Sequence, residues 1–113
     1  MDDTPIRPIN LALTQNGQVA LCRGCQQCIS LEFGFILQLF SRRDFQVLER
    51  NLRDLDTAQC LRQCHCRTRI ILNTSFPDLY FTFSEPEFIE LSMLLTSALS
   101  KLQLIEATER HLN

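Results

Sequence analysis

The tetrapeptide Ser84-Glu85-Pro86-Glu87 restricts the fold of this chain more than any other feature. A serine followed three residues later by a glutamate can cap the exposed amides of a helix start reciprocally, and a proline fits the first turn, where an N–H has no partner to lose. Behind it Phe88, Leu91, Leu95, Ala98, Leu99, Leu102 and Ile105 recur at three- and four-residue steps, which predicts an amphipathic helix over 85 to about 111. The remainder of the 113-residue chain must supply one broad apolar surface for that helix to lie on.

The N-terminal half has the pattern of such a surface. Ile9, Leu11 and Leu13 alternate with Asn10, Ala12 and Thr14, Asn16-Gly17 reads as a tight hairpin turn, and a return strand from Gln18 leads into Cys22. Ile29, Leu31, Phe33, Phe35, Leu37 and Leu39 share one period-two face, and Gly34 marks a turn between two strands. Ser41 and Asp44 stand at capping-box spacing ahead of Phe45, Leu48, Leu52 and Leu55, a shorter helix that should end near Asp56-Thr57. The segment 58–67 has no clean period and reads as a loop or a short turn of helix. Residues 68–72 and 79–83 are rich in β-formers and make a second hairpin across the turn residues between them.

At an offset of 43 residues, Phe40-Ser41 with Asp44-Phe45, Leu48 and Leu52 lies over Phe83-Ser84 with Glu87-Phe88, Leu91 and Leu95. Each copy reads strand, strand, helix. The expectation is one α+β domain over 1–113 with a flexible start over 1–8: a mostly antiparallel sheet carrying two helices on one face, built from two strand-strand-helix units after an N-terminal hairpin.

Composition excludes several functions. With glycine only at positions 17, 24 and 34, neither a P-loop nor a dinucleotide-binding loop can be built. A net charge of -2 argues against a dominant nucleic-acid or anionic-membrane role. Residues 42–69 hold seven arginines against four acids, yet no aromatic platform or recognition helix accompanies them. RNA binding therefore ranks below self-association through opposite charges. No run of apolar residues has the unbroken length of a membrane span, and the acidic start Met1-Asp2-Asp3 lacks the basic region of an export signal, so a cytoplasmic location is expected. Asn73-Thr74-Ser75 matches a glycosylation acceptor, a pattern that chance produces often.

The six cysteines are the chemically loaded residues. Cys22-Arg23-Gly24-Cys25 has the two-residue gap that lets a tight turn aim two sulfurs at one ion, and Cys60, Cys64 and Cys66 form a second group about 35 residues on. One tetrahedral zinc held by Cys22, Cys25 and two of Cys60, Cys64 and Cys66 fits the stoichiometry, with Cys28 left as a spectator. Plain buried thiols and redox pairs are the competing readings. His65 and His111 are the only imidazoles, and neither forms a triad-like arrangement in the sequence.

Cys22-x-x-Cys25, then Ile29-x-Leu31-x-Phe33-Gly34, then Phe40-Ser41 and Phe45 resemble a family of short bacterial proteins of unknown function, in which a C-x-x-C precedes an L-x-F-G hairpin and a helix. The resemblance implies the same architecture and a bacterial cytoplasmic origin, and no activity. The functional expectation is a small non-enzymatic interaction domain stabilised by cysteine-bound zinc; a thiol redox or metal-handling protein and an RNA-binding accessory factor are the alternatives. Ile89, Met93 and Leu104 project away from the core stripe of the last helix, which predicts a homodimer through that helix.

Overall fold

A computed structural model describes residues 8–25, 28–55, 61–64, 67–73 and 76–112. The chain runs β1 (Ile9–Leu13), β2 (Gly17–Cys22), a 3-10 turn (Arg23–Cys25), β3 (Cys28–Phe33), β4 (Ile36–Phe40), α1 (Arg42–Arg53), β5 (Leu61–Cys64), β6 (Arg67–Asn73), β7 (Tyr80–Phe83) and α2 (Glu85–Leu112). This is an α+β fold. The strands form two antiparallel sheets, β1-β2-β3-β4 and β5-β6-β7, where the sequence suggested a single one.

Both predicted caps are made. The Ser41 hydroxyl accepts from the Asp44 amide and starts α1. At α2 the box closes in both directions: Glu87 N–H donates to Ser84 Oγ, and Ser84 N–H donates to Glu87 Oε1 at 2.7 Å. Backbone and side-chain bonds from Ser84, with Arg69 nearby, hold the Glu87 carboxyl below its usual range. Helix α1 stops at Arg53, with Asp54 as its C-cap, short of the expected end at Asp56-Thr57, which lies outside the described residues.

The helices lie on the first sheet, α2 across β1 and β2 and α1 over β3 and β4, and α2 also reaches β6 and β7. Val19, Ile29, Phe45, Leu94, Leu95 and Ala98 are completely buried between these layers. Burying a side chain such as Leu, Ile or Phe is worth about 1.5–3 kcal/mol, so this apolar seam sets where α2 sits. Phe33 meets Phe83 edge to face at 6.0 Å and joins the second sheet to the same core.

Three expectations are corrected. The segment 58–67 is not simply loop, because Leu61–Cys64 is a strand in register with β6, Leu61 opposite Ile70 and Cys64 opposite Arg67. The apolar face of β3 does not continue through Phe35, Leu37 and Leu39. Gly34 and Phe35 form a two-residue turn that pairs Phe33 with Ile36 and Ile29 with Phe40, so Ile36 and Phe40 take the inner face and the other three are exposed. Leu94 lies outside the predicted stripe of α2 yet is fully buried, because this helix is apolar around more of its circumference than a single stripe.

Candidate functional site

Helix α2 carries the candidate surface, and its charges show how it is held. Thr14 Oγ1 and the Asn16 amide donate to Glu90 Oε2 at 2.6 and 2.8 Å, and Asn16 Nδ2 donates to Oε1 at 2.8 Å, so one carboxylate ties the β1–β2 turn to the helix. These bonds hold the Glu90 carboxyl below its usual range, with the Thr14 hydroxyl contributing most. Lys101 Nζ donates to the Asn10 carbonyl at 2.6 Å. Arg42 reaches Glu106 with two bonds, Nε to Oε2 at 2.8 Å and Nη2 to Oε1 at 3.1 Å, and Arg23 pairs with Glu109. Glu87, Glu90, Lys101, Glu106 and Glu109 are thus all turned toward this chain's own groups.

Between Ile89 and Leu104 one outward arc of the helix carries no charge. At about 100° per residue, Ile89, Met93, Thr96, Ser97, Ser100 and Leu104 fall on one arc of the helix. All six are exposed, Ile89 at 58%, Met93 at 63% and Leu104 at 67%. By length and composition, residues 85–110 would be apolar enough to span a bilayer. That apolar content is divided between the buried seam and this stripe.

An open cavity of about 460 Å³ lies beside the stripe, between α1 and α2. Leu52, Phe88 and Leu95 give it apolar walls, and Glu49, Ser92 and Thr96 give it polar ones. Glu49 is only 2% exposed. Its Oε2 accepts from Thr96 Oγ1 at 3.2 Å, while Oε1 and the Ser92 hydroxyl are buried without a hydrogen bond. Arg53 Nη2 stands 3.8 Å from that Oε1, beyond hydrogen-bond length. Glu49 was not singled out in the sequence, although its place four residues after Phe45 and three before Leu52 puts it on the buried side of α1.

Of the predicted metal ligands, Cys22 ends β2 and Cys25 ends the 3-10 turn that follows, so the C-x-x-C occupies the end of one hairpin. Cys28 is the register partner of Cys22 across β2 and β3, which brings the expected spectator next to the first ligand. Cys64 ends β5 in the other sheet, and Cys60, His65 and Cys66 lie outside the described residues. Among the described residues no group of three or more His, Cys, Asp or Glu is placed to hold a metal ion.

No curated protein and no solved structure matches the chain. A model of a protein family does match, over residues 7–112, through the whole of α2. Because that match takes in both sheets and both helices, the chain belongs to the family of unknown function DUF6686.

Proposed function

We propose that this protein is a small non-enzymatic interaction module that works through the uncharged stripe of α2 and assembles first with a second copy of itself. The observation that carries the reading is the division of charge on α2: five charged side chains are spent on internal contacts, and a continuous exposed arc from Ile89 to Leu104 has none. Exposed apolar residues scattered singly are ordinary, but an uncharged strip on a long helix suits a partner helix.

Two features favour a second copy. An antiparallel two-fold arrangement centred between Thr96 and Ser97 sets Ile89 level with Leu104 of the partner subunit and Met93 level with Ser100 of the partner subunit. Large residues then face large or small ones, and the hydroxyl-bearing residues meet at the centre, where backbones can approach. The same register leaves Arg110 of one helix two residues, about 3 Å along the axis, past the level of Glu85 of the partner subunit, both exposed, so opposite charges come near each other at each end.

Light scattering at tens of micromolar tests this. The wild type should give about twice the 13.1 kDa chain mass, and Met93→Glu and Leu104→Glu should both shift it to monomer. Leu39→Glu, on β4, should leave the dimer intact. A monomeric wild type overturns the proposal, and so does a dimer that only Leu39→Glu breaks.

A second reading concerns the thiols. The placement of Cys22 and Cys25 at one hairpin end supports a zinc completed by two of Cys60, Cys64 and Cys66, with Cys28 as a spectator, in a reducing compartment such as the cytoplasm. Protein purified reduced and without added metal should then carry close to one equivalent of zinc, and Cys25→Ser should lower the melting temperature far more than Cys28→Ser. Less than about 0.2 equivalents of metal refutes this reading, because structural sites hold zinc tightly.

A further inference from the structure

The cavity between α1 and α2 holds groups that folding alone does not account for. Buried polar atoms are nearly always hydrogen-bonded, yet Glu49 Oε1 and Ser92 Oγ are buried without a partner, and both residues line this one space. A carboxylate is the more demanding of the two, since an ionised group removed from water is stable only when paired. A leucine at position 49 would continue the surface made by Phe45 and Leu52 without burying a carboxylate. Arg53, four residues on, forms an ion pair with Glu49 that is too long to be a hydrogen bond. Its Nη2 stands 3.8 Å from Glu49 Oε1, its Nε stands 3.9 Å from Asp54, and its side chain is 61% exposed, so it divides two long ion pairs between the acids and leaves Oε1 without a hydrogen bond.

We infer that the cavity is a binding site for a small organic cation, a primary ammonium on an apolar stem. The ammonium takes the place beside Glu49 Oε1 now shadowed by Arg53, whose long side chain swings into solvent, and the stem lies against Leu52, Phe88 and Leu95. A charge-assisted bond to a carboxylate is stronger than a neutral one, and an ammonium has three donors to share between the carboxylate and a hydroxyl. At about 460 Å³ the space is within the range of small-ligand sites. Arg53 also lines the space, but the buried acceptor without a hydrogen bond is Glu49 Oε1, which calls for a donor and not for an anion, and a metal ion would require more donors than one carboxylate and three hydroxyls supply.

Met93, Thr96 and Ser97 border the cavity as well as belonging to the exposed stripe, so the test is run on Leu104→Glu, whose new charge is two turns further along α2, and on the wild type. The inference does not rest on dimerisation. Titration with n-hexylammonium, followed by methyl and amide NMR shifts, should be saturable and should move Leu52, Leu95 and Ser92. n-Hexanol should bind at least tenfold more weakly, and hexanoate should not bind. Arg53→Ala should bind hexylammonium at least as well as the parent, and Glu49→Gln should lose at least tenfold. Ser92→Ala, a milder change, should lose severalfold, which keeps the test decisive if Glu49→Gln fails to fold. Absence of saturable binding overturns the inference. So does equal binding of hexanol and hexylammonium, or affinity unchanged in both Glu49→Gln and Ser92→Ala.

Discussion

Gly17 and Leu94 approach so closely that a Cβ at position 17 would stand 2.7 Å from Leu94 Cδ2, and 2.8 Å from Phe33 Cδ1. The first residue of β2 is therefore the point at which α2 sinks onto the sheet. Its backbone conformation is not the reason for glycine, since φ there is not positive. The requirement is space.

Gly17→Ala should accordingly behave as overpacking and cost about 1–3 kcal/mol of unfolding free energy, because Leu94 and Phe33 are buried and have little room to yield. Denaturant unfolding measures it. Leu94→Ala alone should cost about 2–5 kcal/mol, and the double variant should lose clearly less than the two losses together, since the alanine at 17 fills part of the space that Leu94 vacates. Additive losses would mean that the two residues do not press on each other.

Glu90 gives a pH signature. Its folded pKa is below the ordinary value of 4.5, as is that of Glu87, so between the two values the unfolded chain binds more protons than the folded one. Stability from these contacts is complete above about pH 4.5 and is lost as the pH falls through the lower folded values. The melting temperature of Glu90→Gln should be below that of the wild type at pH 7, and the difference should shrink as both are acidified. A gap that stays constant down to pH 3 would contradict the contacts drawn from Thr14 and Asn16.

Much of this arrangement is legible in the residues. The caps at Ser41 and Ser84 and the three- and four-residue spacing behind them identify both helices, because an amphipathic helix in water needs those features. Strand β5 is not legible: Leu61-Arg62-Gln63-Cys64 has no β-branched or aromatic residue, and only its pairing with β6 makes it a strand. The face of β4 is misread for a geometric reason. Across a two-residue turn, residues i and i+3 share a face, so the parity that runs through Phe33 passes to Ile36 rather than to Phe35. Glu49 is concealed in the same way by its type, since a glutamate in an arginine-rich helix looks solvated until the opposing helix is in place. The cysteines expected to bind zinc illustrate the reverse case, in which spacing suggests a site and the register then puts Cys28, the expected bystander, opposite Cys22.

Arg42 and Glu106 join the two helices by a forked pair whose side chains are 26% and 30% exposed. Partial burial and two parallel bonds raise its worth above that of a surface ion pair, to about 1 kcal/mol. Arg42→Lys retains the charge but not the fork and should recover only part of what Arg42→Ala loses. A double-mutant cycle with Glu106→Gln measures the coupling. A coupling near zero would reduce the pair to a surface contact.

Gly34 completes the comparison with Gly17, for here the two constraints are exchanged. Its φ is +61° and no atom lies within 4 Å of where a Cβ would be, so a side chain meets open space but a strained backbone. Its N–H donates to the Asn16 carbonyl at 2.9 Å, a bond that any residue but proline keeps. Gly34→Ala should therefore cost about 1–2 kcal/mol, the usual penalty of a left-handed conformation for an L-residue. Gly34→Asn should cost distinctly less, since asparagine tolerates that region. At position 17 the order should reverse, because asparagine is larger than alanine and the space beneath Leu94 is closed. Measuring the four variants by denaturant unfolding separates backbone strain from steric exclusion, and the same order at both positions would show that one of the two explanations is wrong.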